Sequence, residues 1–354
     1  MDLPFSFDKI PAGGNIVGRA AEIAALVAAL GPDGTNLALS GEARSGKETI
    51  VREALDRYLQ TRRSAVVCEI DLGGLRTYEQ FTALWRQKMK ECAKELNRGA
   101  LLPFDISLDE IPDKKIFDLP GVIAGEAGVQ LILYFREFQN LLRVEDEQFR
   151  LEALDRSWSR QKAVRFLFTG SFVNAMKSIF NERRCFYGMC RTLVLQPLDK
   201  TPVCDYIRAS FLNRGRIIEA EETLAICEMS GGNMWYVKQL CAFCYSLPAG
   251  YVSRVTVNRA RDMLLAIHEP RFKQWLFDLT VNQINLLHAI VDGVRKYSSA
   301  EVLERYRLNS SAGVARSREA LCKRELVIFD DEDNARLTDP FFDYWLRNYY
   351  FVQP

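Results

Sequence analysis

A doubly wound parallel α/β sheet, followed by a helical lid and a winged helix-turn-helix, is the architecture this sequence predicts. Three observations point to it. Short apolar runs alternate with helical patterns up to about Leu195. A helical segment follows Pro197, and from Leu279 onward three short helical patterns precede a β-hairpin. Strands alternating with helices build a parallel sheet, and three helices with a two-stranded wing build a winged helix.

The strands are read at Leu37 to Leu39, Ala65 to Ile70, Leu131 to Phe135, Arg165 to Phe168 and Thr192 to Leu195. Continuous rather than alternating apolarity in Leu131 to Phe135 is the mark of a strand covered on both faces. Gly99 to Gly128 is polar, with Pro and Gly and little periodicity, and reads as an insertion or loop. The segment from Pro197 to about Pro270 reads as the lid. Beyond it come helices at Val281 to Asp292, Ser299 to Tyr306 and Ala312 to Arg324. Leu326 to Phe329 and Ala335 to Leu337 flank an acidic tip, Asp330-Asp331-Glu332-Asp333-Asn334. The expected division is 1–196, 197–276 and 277–354.

The first strand runs into Gly41-Glu42-Ala43-Arg44-Ser45-Gly46-Lys47-Glu48-Thr49, which a helical pattern follows. This is G-x-x-x-x-G-K-[ST], the phosphate-binding loop, in the strand–loop–helix context the motif requires, with one residue changed. Backbone N–H groups of the loop and the helix N-terminus surround phosphate oxygens, and the lysine reaches the outer phosphates. The next position carries a hydroxyl that holds Mg²⁺ in an intact site; here it is Glu48. The second half of such a site is an acidic residue ending a buried strand. After Phe135 the chain reads Arg136-Glu137-Phe138-Gln139-Asn140, with Arg136 where the metal-directed Asp belongs and Glu137 where water is polarised.

With these residues the chain resembles the P-loop ATPases of the archaeal ATPase type, relatives of AAA+ and STAND proteins. The likeness runs nearly end to end. Ile16-Val17-Gly18-Arg19 with Glu22 and Leu26 is similar to the family's opening V-G-R-x-x-E box, and Arg44 to its Arg-rich loop. Glu137-Phe138-Gln139-Asn140 resembles its D-E-F-Q stretch without the Asp, and Phe168-Thr169-Gly170-Ser171 its sensor strand. Phe186-Tyr187-Gly188 with Leu195-Gln196-Pro197-Leu198 resembles the Y-G-R…P-L segment, and Ser230-Gly231-Gly232-Asn233 the G-G-N-P lid motif. Leu337-Thr338-Asp339-Pro340-Phe341-Phe342 with Trp345-Leu346-Arg347 resembles the family's ending. Each match is weak alone; their order carries the resemblance. Met189 stands for Arg (with Arg191 two residues on) and Met234 for Pro, beside Glu48 and Arg136.

The resemblance implies ATP or ADP bound by Gly41 to Thr49. Glu48 and Arg136 are near neighbours in such a site and opposite in charge, so an ion pair across the metal position is expected. Two outcomes stay open. Nucleotide binds without Mg²⁺ as a switch, with Glu137 the one catalytic candidate and hydrolysis weak or absent. Alternatively the pair plugs the pocket, and the protein is a pseudo-ATPase scaffold or a DNA-binding adaptor. Thr169 and Ser171 either sense phosphate or satisfy backbone groups. Arg183, Arg184 and Arg191 are arginine fingers toward a neighbouring subunit or a solvated basic face.

Composition narrows the partners. With 47 basic and 46 acidic residues there is no global field for nucleic acid or anionic membrane. Residues 312–324 carry Arg316, Arg318, Lys323 and Arg324, which suit DNA phosphates, yet the acidic tip beside them repels phosphate. Trp275, Trp345 and the aromatic C-terminus suit packing, a protein partner or self-association. Nine cysteines and two histidines (His268 and His288) show no metal spacing, and Cys241-x-x-Cys244 lies in an apolar helical run. Scattered thiols, no leader in Met1 to Ile10 and no apolar stretch of spanning length fit a cytoplasmic protein.

Overall fold

The computed structural model describes residues 5–7, 10–31, 33–62, 64–98, 111–112, 115–144, 151–182, 186–247, 250–330 and 332–352. They divide into two compact units, one of residues 19–41 and 47–195, the other of residues 1–18, 42–46 and 196–354.

The first unit is a five-stranded parallel sheet. Its strands are β1 (Asn36–Ser40), β2 (Ala65–Asp71), β3 (Gln130–Arg136), β4 (Val164–Gly170) and β5 (Cys190–Val194), in the order β2-β3-β4-β1-β5. All five lie within two residues of the sequence reading at each end. Helices α1 (Ala20–Leu30), α2 (Lys47–Thr61), α3 (Tyr78–Arg98), α4 (Leu119–Ala127), α5 (Leu151–Trp158) and α6 (Val173–Phe180) connect them. Strand β3 is buried from Leu131 to Phe135, as its unbroken apolar run requires. The core on one side is aromatic: Trp158 lies 5.6 Å from Trp85, 5.1 Å from Phe135 and 5.2 Å from Phe166, ring centre to ring centre.

One expectation fails here. Within the stretch read as a loop, Ile116–Asp118 forms a single 3₁₀ turn and Leu119–Ala127 is helix α4. The cause is tertiary burial. Ile116, Phe117, Leu119 and Ile123 all enter the core, and Trp85 Nε1 donates to Ile116 O at 2.8 Å. Pro120 stands in the first turn, where a missing N–H costs nothing, and Gly128 ends the helix in the left-handed region. Residues 99–110 and 113–114 of that stretch lie outside the described residues.

The second unit holds four helices, α7 (Lys200–Leu212), α8 (Ala220–Ser230), α9 (Met234–Ser246) and α10 (Arg254–Phe277), with a short parallel pair β6 (Ile217–Ile218) and β7 (Tyr251–Val252). Helix α10 does not stop at Pro270 as read; it passes through it to Phe277. Pro270 is exposed, so the carbonyl it leaves without an amide faces water. Then come α11 (Val281–Val291), α12 (Ala300–Arg305) and α13 (Ser311–Lys323), the antiparallel wing β8 (Val327–Phe329) and β9 (Ala335–Leu337), and α14 (Pro340–Trp345). Cys241 and Cys244 are both fully buried on α9, the helix-face reading.

Two family-like motifs interlock in this unit. Gly231 and Gly232 have φ of +56° and +72°, and a Cβ there would sit 2.5 Å from Pro340 Cβ and 2.6 Å from Leu198 O, respectively. Only glycine meets both demands. Met234, where the resemblance expects Pro, takes the first position of α9, whose entry Asn233 caps by accepting from Trp235 N at 3.0 Å. A residue with or without an N–H serves there, so this departure is local.

Candidate functional site

The loop follows β1 and opens α2, while Arg136 and Glu137 follow β3 and Ser171 follows β4. These are the carboxyl ends of three adjacent strands, the edge where open α/β sheets bind ligands. Gly41 N donates to Gly170 O at 3.3 Å, tying the loop's start to β4. A Cβ at Gly170 would lie 2.5 Å from both Gln139 Oε1 and Met176 Sδ, so a larger residue there would displace those two side chains.

The loop has the backbone of an anion nest. Arg44 has φ +62° and Gly46 φ +95°, left-handed positions of the kind such nests use. A left-handed Arg is unfavourable by about 1–2 kcal/mol, and its guanidinium is held 3.6 Å above the Trp235 ring. Ser45 Oγ is buried with no hydrogen-bond partner among the described residues. Lys47 is 7% exposed, and its Nζ donates to Gly41 O at 2.9 Å. Burial pushes its pKa down to about 8, against the opposing pull of Glu137. An orphaned hydroxyl and a buried amine are the chemistry of a phosphate cradle.

The metal half is rebuilt. Arg136 Nη2 lies 3.1 Å from Glu48 Oε2, the ion pair the sequence predicts. It is part of a larger network. Arg52 Nη2 bonds Glu48 Oε1 at 2.7 Å, and Arg136 Nη1 is 3.2 Å from both Glu69 Oε1 and Asp71 Oδ2. Parallel register sets Asp71 opposite Arg136, and one helical turn sets Arg52 on Glu48. The sequence reading missed these three partners, although the (i, i+4) spacing of Glu48 and Arg52 was a signal for one. The side chains of Arg136 and Glu48 are 30% and 31% exposed, so water screens the pair and its contribution to stability is small. A guanidinium bonded to three carboxylates leaves no set of free hard oxygen ligands at this place, so the residues do not fit Mg²⁺. Among the described residues no group of three or more His, Cys, Asp and Glu could hold a metal ion.

Glu137 sits just past β3 with φ +52°. Its carboxylate is tied down: Ser171 Oγ donates to Oε1 at 2.7 Å, Gln139 Nε2 donates to Oε2 at 2.7 Å, and Ser171 N reaches Oε2 at 3.4 Å. Thr169 Oγ1 donates to Phe135 O at 3.1 Å, the backbone-satisfying role. Ser171 serves Glu137, a pairing not foreseen in the sequence. Arg183 and Arg184 lie outside the described residues, and Arg191 is exposed on β5.

Other recognised motifs are explained by packing. Arg19 Nη1 bonds Glu22 Oε1 at 2.8 Å, which accounts for the V-G-R-x-x-E spacing. Gly18, φ +63°, leaves room for Leu198 and Pro202, whose side chains would be 3.0 and 3.2 Å from a Cβ. Beside that turn a cleft of about 580 Å³ is lined by Asn15, Val17, Tyr206, Ser210 and Arg214 among others.

On the winged helix, Arg316, Lys323 and Arg324 are exposed. Arg318 is engaged: Nη1 bonds Asp333 Oδ2 at 2.9 Å, and the guanidinium lies 3.8 Å over Phe329. The wing's acid thus neutralises a base of α13. Asp331 lies outside the described residues.

A family model described as "Probable winged helix domain" matches residues 270–348. No curated protein sequence is a significant match. Among solved structures, the Walker-type ATPase PABY2304 of Pyrococcus abyssi is similar over 97% of this chain and 99% of its own, at 15% identity and TM-score 0.73. The ORC2 protein of Aeropyrum pernix, in ADPNP-ADP complexes, is similar over 98% and 96%, at 14% identity and TM-score 0.62. The ORC1 protein of the same organism, in complex with DNA, covers 98% and 96% at 15% identity and TM-score 0.50. The chain therefore has the fold of these Walker-type and ORC ATPases, a parallel P-loop sheet with a C-terminal winged helix. Among the described residues no helix is long and apolar enough to cross a membrane.

Proposed function

We propose that this chain is a nucleotide-binding P-loop protein of the AAA+/STAND type that takes ATP or ADP into Gly41 to Thr49 without Mg²⁺. It acts as a switch or regulatory subunit rather than as an ATPase. One observation carries the reading: the nest and Lys47 are kept while Glu48 and Arg136 join in an ion-paired network. The nucleotide complexes of the ORC2 neighbour support the ligand class. Hydrolysis is weak or absent, because no divalent ion bridges the outer phosphates and the Glu137 carboxylate is held by Ser171 and Gln139. The three segments 1–196, 197–276 and 277–354 then serve as nucleotide domain, lid and output domain. A scaffold without nucleotide is the second reading, favoured by the filled metal position; the Arg318–Asp333 pair disfavours its DNA-adaptor form.

Calorimetric titration with ATP and ADP, each with Mg²⁺ or with EDTA, tests this. The affinities are expected to agree within about twofold with and without metal, a difference of under about 0.5 kcal/mol. No binding in any condition supports the scaffold. Magnesium-dependent turnover that Glu137→Gln abolishes overturns both readings in favour of an active enzyme.

Binding is also expected to depend on pH in a defined sense. An anion beside Lys47 favours its charged form, so the bound pKa lies above the free value of about 8. Below pH 8 the amine is protonated in both states and affinity is level. Above it, binding must take up a proton, and affinity falls by up to about tenfold per pH unit until the bound form titrates. Titration in buffers of differing ionisation enthalpy reads the proton uptake directly, and a flat profile from pH 7 to 9.5 would remove Lys47 from the site.

A further inference from the structure

The described cysteines are all free thiols, and among them Cys204 and Cys227 are placed for chemistry with each other. Cys204 lies one turn into α7 and Cys227 in the last turn of α8, and the two thiols are hydrogen-bonded. An ion pair bridges the same two turns. Lys200 Nζ, one turn before Cys204, lies 2.8 Å from Oε1 of Glu228, the residue after Cys227. Access differs between the two sulfurs. Cys227 is 2% exposed and belongs to the core of this unit, while Cys204 is half-buried and packs against that core. Burial pushes the Cys227 thiol up to about 11, with the Cys204 thiol adding to the shift and the Lys200 ammonium opposing it. A reagent in solvent therefore meets Cys204 first, with Cys227 behind it. Cys68 of β2 and Cys92 of α3 form a second hydrogen-bonded thiol pair, but both are closed off, at 6% and 4% exposed.

We propose that Cys204 and Cys227 are a reversible dithiol–disulfide site, oxidised by low-molecular-weight disulfides of the glutathione class and acting as a redox staple between α7 and α8. The Cys204 thiol gives its proton to solvent, and its sulfur attacks one sulfur of the oxidant. The oxidant's S–S bond breaks, one glutathione leaves as a thiolate and takes up a proton, and a mixed disulfide remains on Cys204. Cys227 then loses its proton and attacks the Cys204 sulfur, expelling the second glutathione. Two protein thiols become one disulfide, and one glutathione disulfide is reduced to two thiols. The new bond closes the chain between α7 and α8, which removes freedom from the unfolded state and stabilises the folded unit. Helix α8 runs directly into Gly231 and Gly232, which seat against Pro340 and Leu198, and α7 starts just after Leu198. The staple thus fixes the two helices that frame this interlock, and it needs no nucleotide.

The test is thiol mapping on the full chain, held in glutathione buffers from reducing to oxidising, quenched with an alkylating agent and read by peptide mass. A disulfide between Cys204 and Cys227 is expected, reopened by dithiothreitol and forming about tenfold faster than one between Cys68 and Cys92. Cys227→Ser should stop at the mixed disulfide on Cys204, and Cys204→Ser should leave Cys227 unmodified over the same time. If either variant fails to fold, the mapping of the parent decides alone. The oxidised parent is also expected to melt several degrees above the reduced chain, a gain lost on adding dithiothreitol. A parent that stays reduced, carries only glutathione on Cys204, or closes Cys68 with Cys92 first overturns the site. A disulfide between Cys204 and Cys227 that does not raise the midpoint overturns the staple.

Discussion

Exchanging Glu48 for Thr and Arg136 for Asp together is expected to make ATP binding magnesium-dependent, tightening it by about a hundredfold on addition of Mg²⁺, or about 2.7 kcal/mol. The expectation follows from position and charge. Residue 48 is in the first turn of α2, beside Lys47, and residue 136 ends β3. A hydroxyl and a carboxylate at these two places are hard oxygen ligands of the kind Mg²⁺ uses alongside phosphate. The change also removes a guanidinium that now sits among three carboxylates, Glu48, Glu69 and Asp71. Neither single change suffices. Glu48→Thr keeps the Arg136 cation, which repels a divalent ion. Arg136→Asp leaves four carboxylates with Arg52 as their one neighbouring base in the network, and their repulsion raises the need for any cation, nucleotide or not. All these side chains are near the surface, so the double variant should fold like the parent, with a thermal midpoint within a few degrees. Calorimetry with Mg²⁺ against EDTA reads the outcome. A double variant that binds ATP but ignores Mg²⁺ would mean that the network is not what displaces the metal. A double variant that also turns over ATP would show that the tie between Glu137 and Ser171 opens when metal and phosphate are present.

How far the sequence could be read depends on whether a feature is local. The five strands were legible because parallel strands covered on both faces are continuous apolar runs, as in Leu131 to Phe135. The place of the loop between β1 and α2 was legible from the spacing of its motif, and the Glu48–Arg136 pair because both positions are anchored to that loop and strand. Helix α4 was not, since a nine-residue helix with Pro120, Gly121 and Gly125 has poor intrinsic propensity and exists through the burial of Leu119 and Ile123. The tie of Glu137 to Ser171 depends on β3 lying beside β4, and the engagement of Arg136 with Asp71 on strand register; neither is encoded by neighbours in the chain. The pairing of Glu42 with Arg336 is farther still from local sequence. Motifs at the two ends of the second unit were seen as resemblance, but their interlocking is a fact of packing.

That interlocking makes Asp339 the residue whose loss should cost this unit most. Its Oδ1 accepts from Phe341 N and Phe342 N, both at 3.0 Å, capping α14. Its Oδ2 accepts from Tyr236 Oη at 2.7 Å and Arg271 Nη2 at 3.1 Å, and Arg271 Nη2 also donates to Tyr236 Oη at 2.8 Å. Nearby, burial and then the charges of Arg271 and Arg44 push His268 down to about 4, so it stays neutral and cannot take over as countercharge. Asp339→Ala removes a cap, worth about 1 kcal/mol. It also leaves a half-buried guanidinium and a buried phenol without their acceptor, adding about 1–3 kcal/mol. A total near 3 kcal/mol is expected, a fall in thermal midpoint of about 5–10 °C for a unit of this size. Asp339→Asn keeps an acceptor for the cap but puts an amide N–H2, a donor, where Oδ2 accepts from Tyr236 and Arg271, so it should recover only the share of the loss that belongs to the cap, about 1 kcal/mol. Tyr236→Phe removes one hydroxyl and should cost about 1 kcal/mol. Chemical denaturation of the three variants supplies the ranking. If Asp339→Ala lies within about 0.5 kcal/mol of the parent, the range of an ordinary surface change, the cluster does not hold the C-terminal motif to the lid, and Gly231 against Pro340 must do so alone.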